Sequence, residues 1–219
     1  MKQRERQGCR EGGFTLVEIL VSLMLATLVA GVIATFNRFQ LFSLQNQAVQ
    51  LDVQSTARAI TDLLAREVRR AGLNAKPPFC GLTQARVDLI RIKADHNNDG
   101  SMSGPNEDIS YRYDASRKSI ERTDHTTNRT DVLVEGLETV LLTLEYFDGN
   151  GTRLIGNLGN EGLDPGERTA VRRVRVTLVL AEDAADPTSN QMFQARAATD
   201  IDLRNRFFAG TGVNPQVCS

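Results

Sequence analysis

From Ile19 to Phe36 the chain carries no charged residue, and this run constrains the fold more than any other feature. As a helix it spans about 27 Å at ~1.5 Å per residue, close to the ~30 Å hydrocarbon core of a bilayer. It is preceded by Lys2, Arg4, Arg6 and Arg10 against Glu5 and Glu11. Basic residues before an apolar helix hold that end in the cytoplasm, so the expected topology is a single pass of the inner membrane, N-terminus in, with the rest in the periplasm. A secretory signal has a shorter apolar core closed by a small-x-small cleavage site. Here the small residues, Gly12 and Gly13, stand before the run. One carboxylate, Glu18, sits at its edge. A charge at the centre of a membrane segment costs on the order of 3 kcal/mol, so Glu18 requires a reason.

Gly13-Phe14-Thr15-Leu16-Val17-Glu18, between a basic leader and a membrane helix, resembles the processing site of type IV prepilins and type II secretion pseudopilins. The resemblance implies cleavage between Gly13 and Phe14 by a membrane prepilin peptidase, N-methylation of Phe14, and a place for Glu18 as fifth residue of the mature chain. Two readings of Glu18 stand side by side. In one it belongs to a capping box with Thr15 and complements the helix dipole, for ~0.3–1 kcal/mol. In the other it forms an ion pair between subunits. Cleavage frees an amine at Phe14 with an ordinary pKa of roughly 8, and Glu18 of a neighbouring subunit meets that cation away from water, pinning the register of packed helices.

Beyond Asn37 polarity rises while the helical period persists. Ala57, Ile60, Leu64, Val68 and Ala71 fall on one face, with Asp62, Arg66, Glu67 and Arg69 largely elsewhere. Gly72, preceded by Arg69 and Arg70 and followed by Pro77-Pro78, supplies a stop. The expected helix runs from Phe14 to Ala71, with Gly31 as a soft point or a close-packing site. The stretch Ala57 to Gly72 resembles the corresponding part of PilW-type minor pilins.

After Pro78 the apolar period falls to two. Strands are expected over Val87–Ala94, Ile109–Tyr113, Lys118–Arg122, within Asp131–Asp148, and over Val171–Leu180 and Phe193–Leu203, with irregular loops at 95–107 and 149–170. Strands without intervening helices form an antiparallel sheet, so the fold class is α+β and pilin-like, a long N-terminal helix on an antiparallel β-sheet. The expected organisation is a leader over 1–13, a transmembrane helix half over 14–36, an amphipathic helix half over 37–72, and a periplasmic β domain over 73–219.

Cysteine use suits an oxidising compartment. Cys9 leaves with the leader, and Cys80 and Cys218 remain as a disulfide pair or as two free thiols. Without residues 1–13, the 26 basic and 27 acidic residues become 22 and 25, a net charge of −3, which argues against a polyanion-binding protein. The arginines at 168, 172, 173 and 175 read as a solvated strand face or subunit contact rather than a DNA-binding patch. His96 and His125 lie in polar contexts far apart, and no nucleotide-binding or nucleophile-elbow motif is present, so no enzyme is expected.

Asp95, Asn97 and Asp99, followed by Gly100, place oxygen side chains at alternate positions before a turn glycine. This is the opening of an EF-hand-type calcium loop. Its closing glutamate should occupy position 106, where Asn106 stands, with Glu107 or Asp108 available to complete the site. An Asx-rich hairpin connection explains the same residues; no cofactor is otherwise required. The resemblance implies a minor pilin whose partners are other minor and major pilins, the prepilin peptidase, the inner-membrane assembly platform and lipid, and whose destination is a pilus or pseudopilus. Alternatives are a type II secretion pseudopilin similar to the J component, and a pilus-tip adhesion or DNA-uptake module.

Overall fold

A computed structural model describes residues 13–74, 81–156, 162–183 and 192–203. Helix α1 (Leu16–Arg69) begins beside Thr15, whose hydroxyl accepts the Glu18 N–H at 3.3 Å. It has no proline to break it, so it runs through 54 residues. It ends in a turn in which Gly72 and Asn74 take positive φ values of 74° and 52°. The chain divides into two compact units at Gln45/Asn46.

In the first unit every residue from Gly13 to Phe42 is exposed. This part of α1 is long and apolar enough to cross a membrane, with a mean hydropathy of 2.5 over its most apolar window. The hydroxyls of Ser22, Thr27 and Thr35 donate to the carbonyls of Glu18, Met24 and Gly31, at 2.7, 2.8 and 2.9 Å, so their polarity is satisfied within the helix.

The second unit joins the rest of α1 to two antiparallel sheets. Strands β1 (Leu82–Ala85), β2 (Leu89–Lys93), β3 (Asp108–Asp114), β4 (Ser119–Asp124) and β5 (Arg129–Val134) form a five-stranded meander in chain order. Strands β6 (Thr139–Phe147), β7 (Arg153–Leu154), β8 (Arg173–Asp183) and β9 (Met192–Asp202) form the other sheet, in the order β7-β6-β8-β9. A short helix α2 (Pro165–Ala170) lies between β7 and β8.

The α+β layout is therefore as expected, but two sheets replace one. The apolar segment 131–148 is two strands in different sheets, separated by a turn in which Gly136 has φ 81°. Segment 149–170 is not wholly irregular, since it contains β7 and α2. Strand β1 was not anticipated; its four residues are too short to show a period.

One core joins these elements. The expected helix face is buried, with Ala57, Ile60, Leu64, Val68 and Ala71 between 0 and 5% exposed. They cluster with Ile90 and Ile92 of β2, Tyr111 of β3, Leu142 and Leu144 of β6, and alternate residues of β8 from Val174 to Leu180. Tyr146, fully buried, donates its hydroxyl to the Arg86 carbonyl at 2.8 Å, and the Leu144 N–H donates to Val87 O at 2.9 Å. These two bonds tie β6 to the β1–β2 turn.

Candidate functional site

At the N-terminus the residues of interest are consecutive, so the geometry is local. The Thr15 hydroxyl takes the backbone N–H of Glu18, one half of a capping box. The other half is not formed: the Glu18 carboxylate is exposed and accepts no hydrogen bond among the described residues. The acid occupies the first turn of α1, at the positive end of the helix dipole. Phe14 lies one residue before Thr15, outside the helix, and is 79% exposed. Around Gly31, nothing lies within 4 Å of where a side chain would begin.

The loop between β2 and β3 holds the second group of expected residues. Its ends are joined by the Ala94 N–H donating to Glu107 O at 2.9 Å. Asp95 is fully buried, and its Oδ2 accepts the Gly100 N–H at 2.9 Å. Asn97 Oδ1 accepts from the Asp99 backbone at 2.9 Å, and Asp99 Oδ1 from the Ser101 backbone at 2.7 Å. Glu107, 1% exposed, accepts backbone N–H groups from His96 at 3.0 Å and Gly104 at 2.6 Å. Asp108 is turned to other partners. Arg91 grips both of its oxygens at 2.7 Å, and Lys93 Nζ lies 3.1 Å away. Burial would raise the Asp108 pKa, but these cations hold it below the usual carboxylate range. Among the described residues, no three His, Cys, Asp or Glu side chains converge as a ready metal cage.

The arginines near β8 are engaged by the fold itself. Arg175 makes a bidentate pair with Asp200 at 2.7 and 2.9 Å, and Arg173 and Arg175 lie 5.1 and 5.2 Å from the centre of the Phe147 ring. Arg168 donates to Leu163 O, and Arg172 to Thr169 O and Val171 O. His125 is exposed and shares a 2.9 Å hydrogen bond with Ser110, while the exposed His96 meets Glu107 through its backbone. Cys80 and Cys218 lie outside the described residues, as do Pro77-Pro78 and the leader residues 1–12.

One contact is not visible in the pattern. Glu67, off the apolar stripe of α1, is half-buried and receives Arg122 Nη2 at 2.9 Å and the Tyr111 hydroxyl. Periodicity places a side chain on a flank; it does not reveal which strand will come to meet it.

Residues 9–34 match the prokaryotic N-terminal methylation motif. No curated protein and no solved structure matches the chain. The motif supports membrane anchoring, association with other pilins and the prepilin peptidase in general terms, and a structural subunit rather than an enzyme. The match is confined to the N-terminal segment, and the long apolar helix leading into antiparallel sheets is an α+β, pilin-like layout consistent with it.

Proposed function

We propose that this protein is a minor pilin of the PilW type that supports type IV pilus assembly after cleavage between Gly13 and Phe14 and N-methylation of Phe14. The observation that carries the reading is the carboxylate of Glu18, without a partner among the described residues, in the first turn of a helix long and apolar enough to cross a membrane. Thr15 already caps the backbone, so the acid is not consumed in starting the helix. The amine exposed at Phe14 by cleavage is its natural partner on an adjacent subunit. In low dielectric such a pair is favourable only with both charges present, which makes it a register pin rather than general adhesion. A single-pass orientation with the C-terminal unit in the periplasm follows from the basic leader.

The test is in-membrane assembly of Glu18→Ala beside the unaltered protein. Membrane insertion should be unchanged while incorporation into filaments is lost; normal incorporation defeats the ion-pair mechanism. N-terminal sequencing of the mature protein should begin at Phe14. A chain that still starts at Met1 overturns the minor-pilin reading altogether.

A further inference from the structure

We infer that the β2–β3 loop, residues 95–107, is a calcium-binding site anchored on Asp95. The loop contains three carboxylates, Asp95, Asp99 and Glu107, and no lysine or arginine. Two of them are buried, Asp95 at 0% and Glu107 at 1% exposure. Among the described residues none of the three takes part in a salt bridge, in contrast to Asp108 next door, which is neutralised by Arg91 and Lys93. Burying negative charge without a counter-charge is expensive.

The second observation is independent of the acidic count. Asp95 Oδ1 is buried and has no hydrogen-bond partner among the described residues. Its sister oxygen Oδ2 is held by the Gly100 N–H, which turns the carboxylate into the loop. The backbone of Asp95 is fixed as well: its N–H donates to Leu73 O at 3.0 Å, and its carbonyl accepts from the Asn74 side chain at 3.3 Å. The anchoring carboxylate is therefore positioned by the turn that ends α1. Gly100, at φ 85°, supplies the sharp bend that an oxygen-lined loop needs.

The loop is short of positive charge rather than of hydrogen-bond donors. Its N–H groups at His96, Asp99, Gly100, Ser101 and Gly104 already donate to its own side-chain oxygens. A hard cation takes oxygen ligands without displacing those bonds, because each carboxylate or amide oxygen has a second lone pair. Asp95, Asp99 and the Asn97 amide are the side-chain donors, with loop carbonyls to complete the shell. Glu107 braces the loop ends. Two carboxylates and an amide form a weak donor set, consistent with the ~10⁻⁴–10⁻³ M affinities of extracellular calcium modules. Such a flexible set suits Ca²⁺ over Mg²⁺, which demands a compact octahedron.

The experiment is calorimetric titration and thermal unfolding of the full chain in detergent micelles, after chelator treatment, with CaCl2 or MgCl2. One Ca²⁺ per chain should bind and raise the unfolding midpoint, with little response to Mg²⁺. Asp95→Asn should weaken Ca²⁺ binding at least tenfold. Asp99→Ala, at an exposed position whose carboxylate is bonded only to the neighbouring Asn97 and Ser101, should do the same while lowering the calcium-free midpoint less than Asp95→Asn does. An unfolding midpoint independent of Ca²⁺, equal binding of Mg²⁺, or unchanged Ca²⁺ affinity in Asp99→Ala overturns the assignment.

Discussion

Arg122 on β4 and Glu67 on α1, 55 residues apart in sequence, meet at 2.9 Å with side chains only 12% and 16% exposed. The Tyr111 hydroxyl from β3 joins the same carboxylate. Burial first, and then the Glu67 charge, push the Tyr111 pKa far above its ordinary value, so the phenol is held as a donor. This cluster locks the helix to the five-stranded sheet in one rotational setting, because a slip of either element separates all three groups.

Removing the shared acceptor should therefore be costly. Glu67→Ala leaves Arg122 and Tyr111 without their partner, and it should destabilise the protein by about 3 kcal/mol. Glu67→Gln, which keeps an acceptor but loses the charge, should cost less. Denaturant unfolding of the full chain in detergent checks both; equal stability of Glu67→Ala and the unaltered protein would show that the cluster contributes little.

Asp108 gives the fold an acid limit. Its folded pKa is depressed, despite burial, by Arg91 and Lys93. A carboxylate of this kind stabilises the native state fully above its unfolded pKa, near ~3.9. That contribution is lost as pH falls toward the lower folded value. Stability should thus be level for this group near neutrality and decline below about pH 4. Asp108→Asn should flatten that decline and cost roughly 2 kcal/mol at pH 7, since it strands two cations. Unfolding free energies measured between these pH values decide.

Gly81 is a steric checkpoint beside the end of α1. It has φ 78°, and a side-chain carbon there would stand 2.2 Å from the Gly72 nitrogen and 2.4 Å from the Ala71 carbonyl carbon. Its carbonyl also accepts the Lys93 N–H at 2.9 Å. Gly81→Ala combines backbone strain with a backbone clash, so a loss of roughly 3 kcal/mol is expected. Alanine at Gly136, which also has positive φ but open space around it, should cost less than at Gly81. Matching unfolding midpoints for the two variants would contradict the steric account.

If the proposed processing and export hold, Cys80 and Cys218 should be joined as a disulfide. Closing so long a loop contributes up to ~4–5 kcal/mol in the chain-entropy model. Alkylation followed by intact-mass measurement should show two added labels only after reduction. Two labels without reductant would establish free thiols.

Local features were legible in the linear chain wherever one residue's neighbours in sequence are also its neighbours in space. The apolar run, the Thr15 cap, the stripe Ala57-Ile60-Leu64-Val68-Ala71 and the alternation of Val174 to Leu180 are of this kind. The start of α2 is equally local. Asp164 accepts the Glu167 N–H at 2.8 Å, Glu167 reaches back to Asp164 N, and Pro165 opens the helix, which is a capping box in the letters D-P-G-E.

Sequence by itself determined the membrane-compatible helix, its methylation motif, the face it buries and most of the strands, because these depend on periods and caps spanning a few residues. Tertiary structure alone decided that the strands divide into two sheets, that Glu67 answers Arg122 and Tyr111, and that Asp108 goes to Arg91 and Lys93 while Asp95 is left inside its loop. Those outcomes depend on which distant strands pair and in what register. A period of two is the same for every partner, so only the closed core, with its demand that each buried charge and donor be met, selects among them.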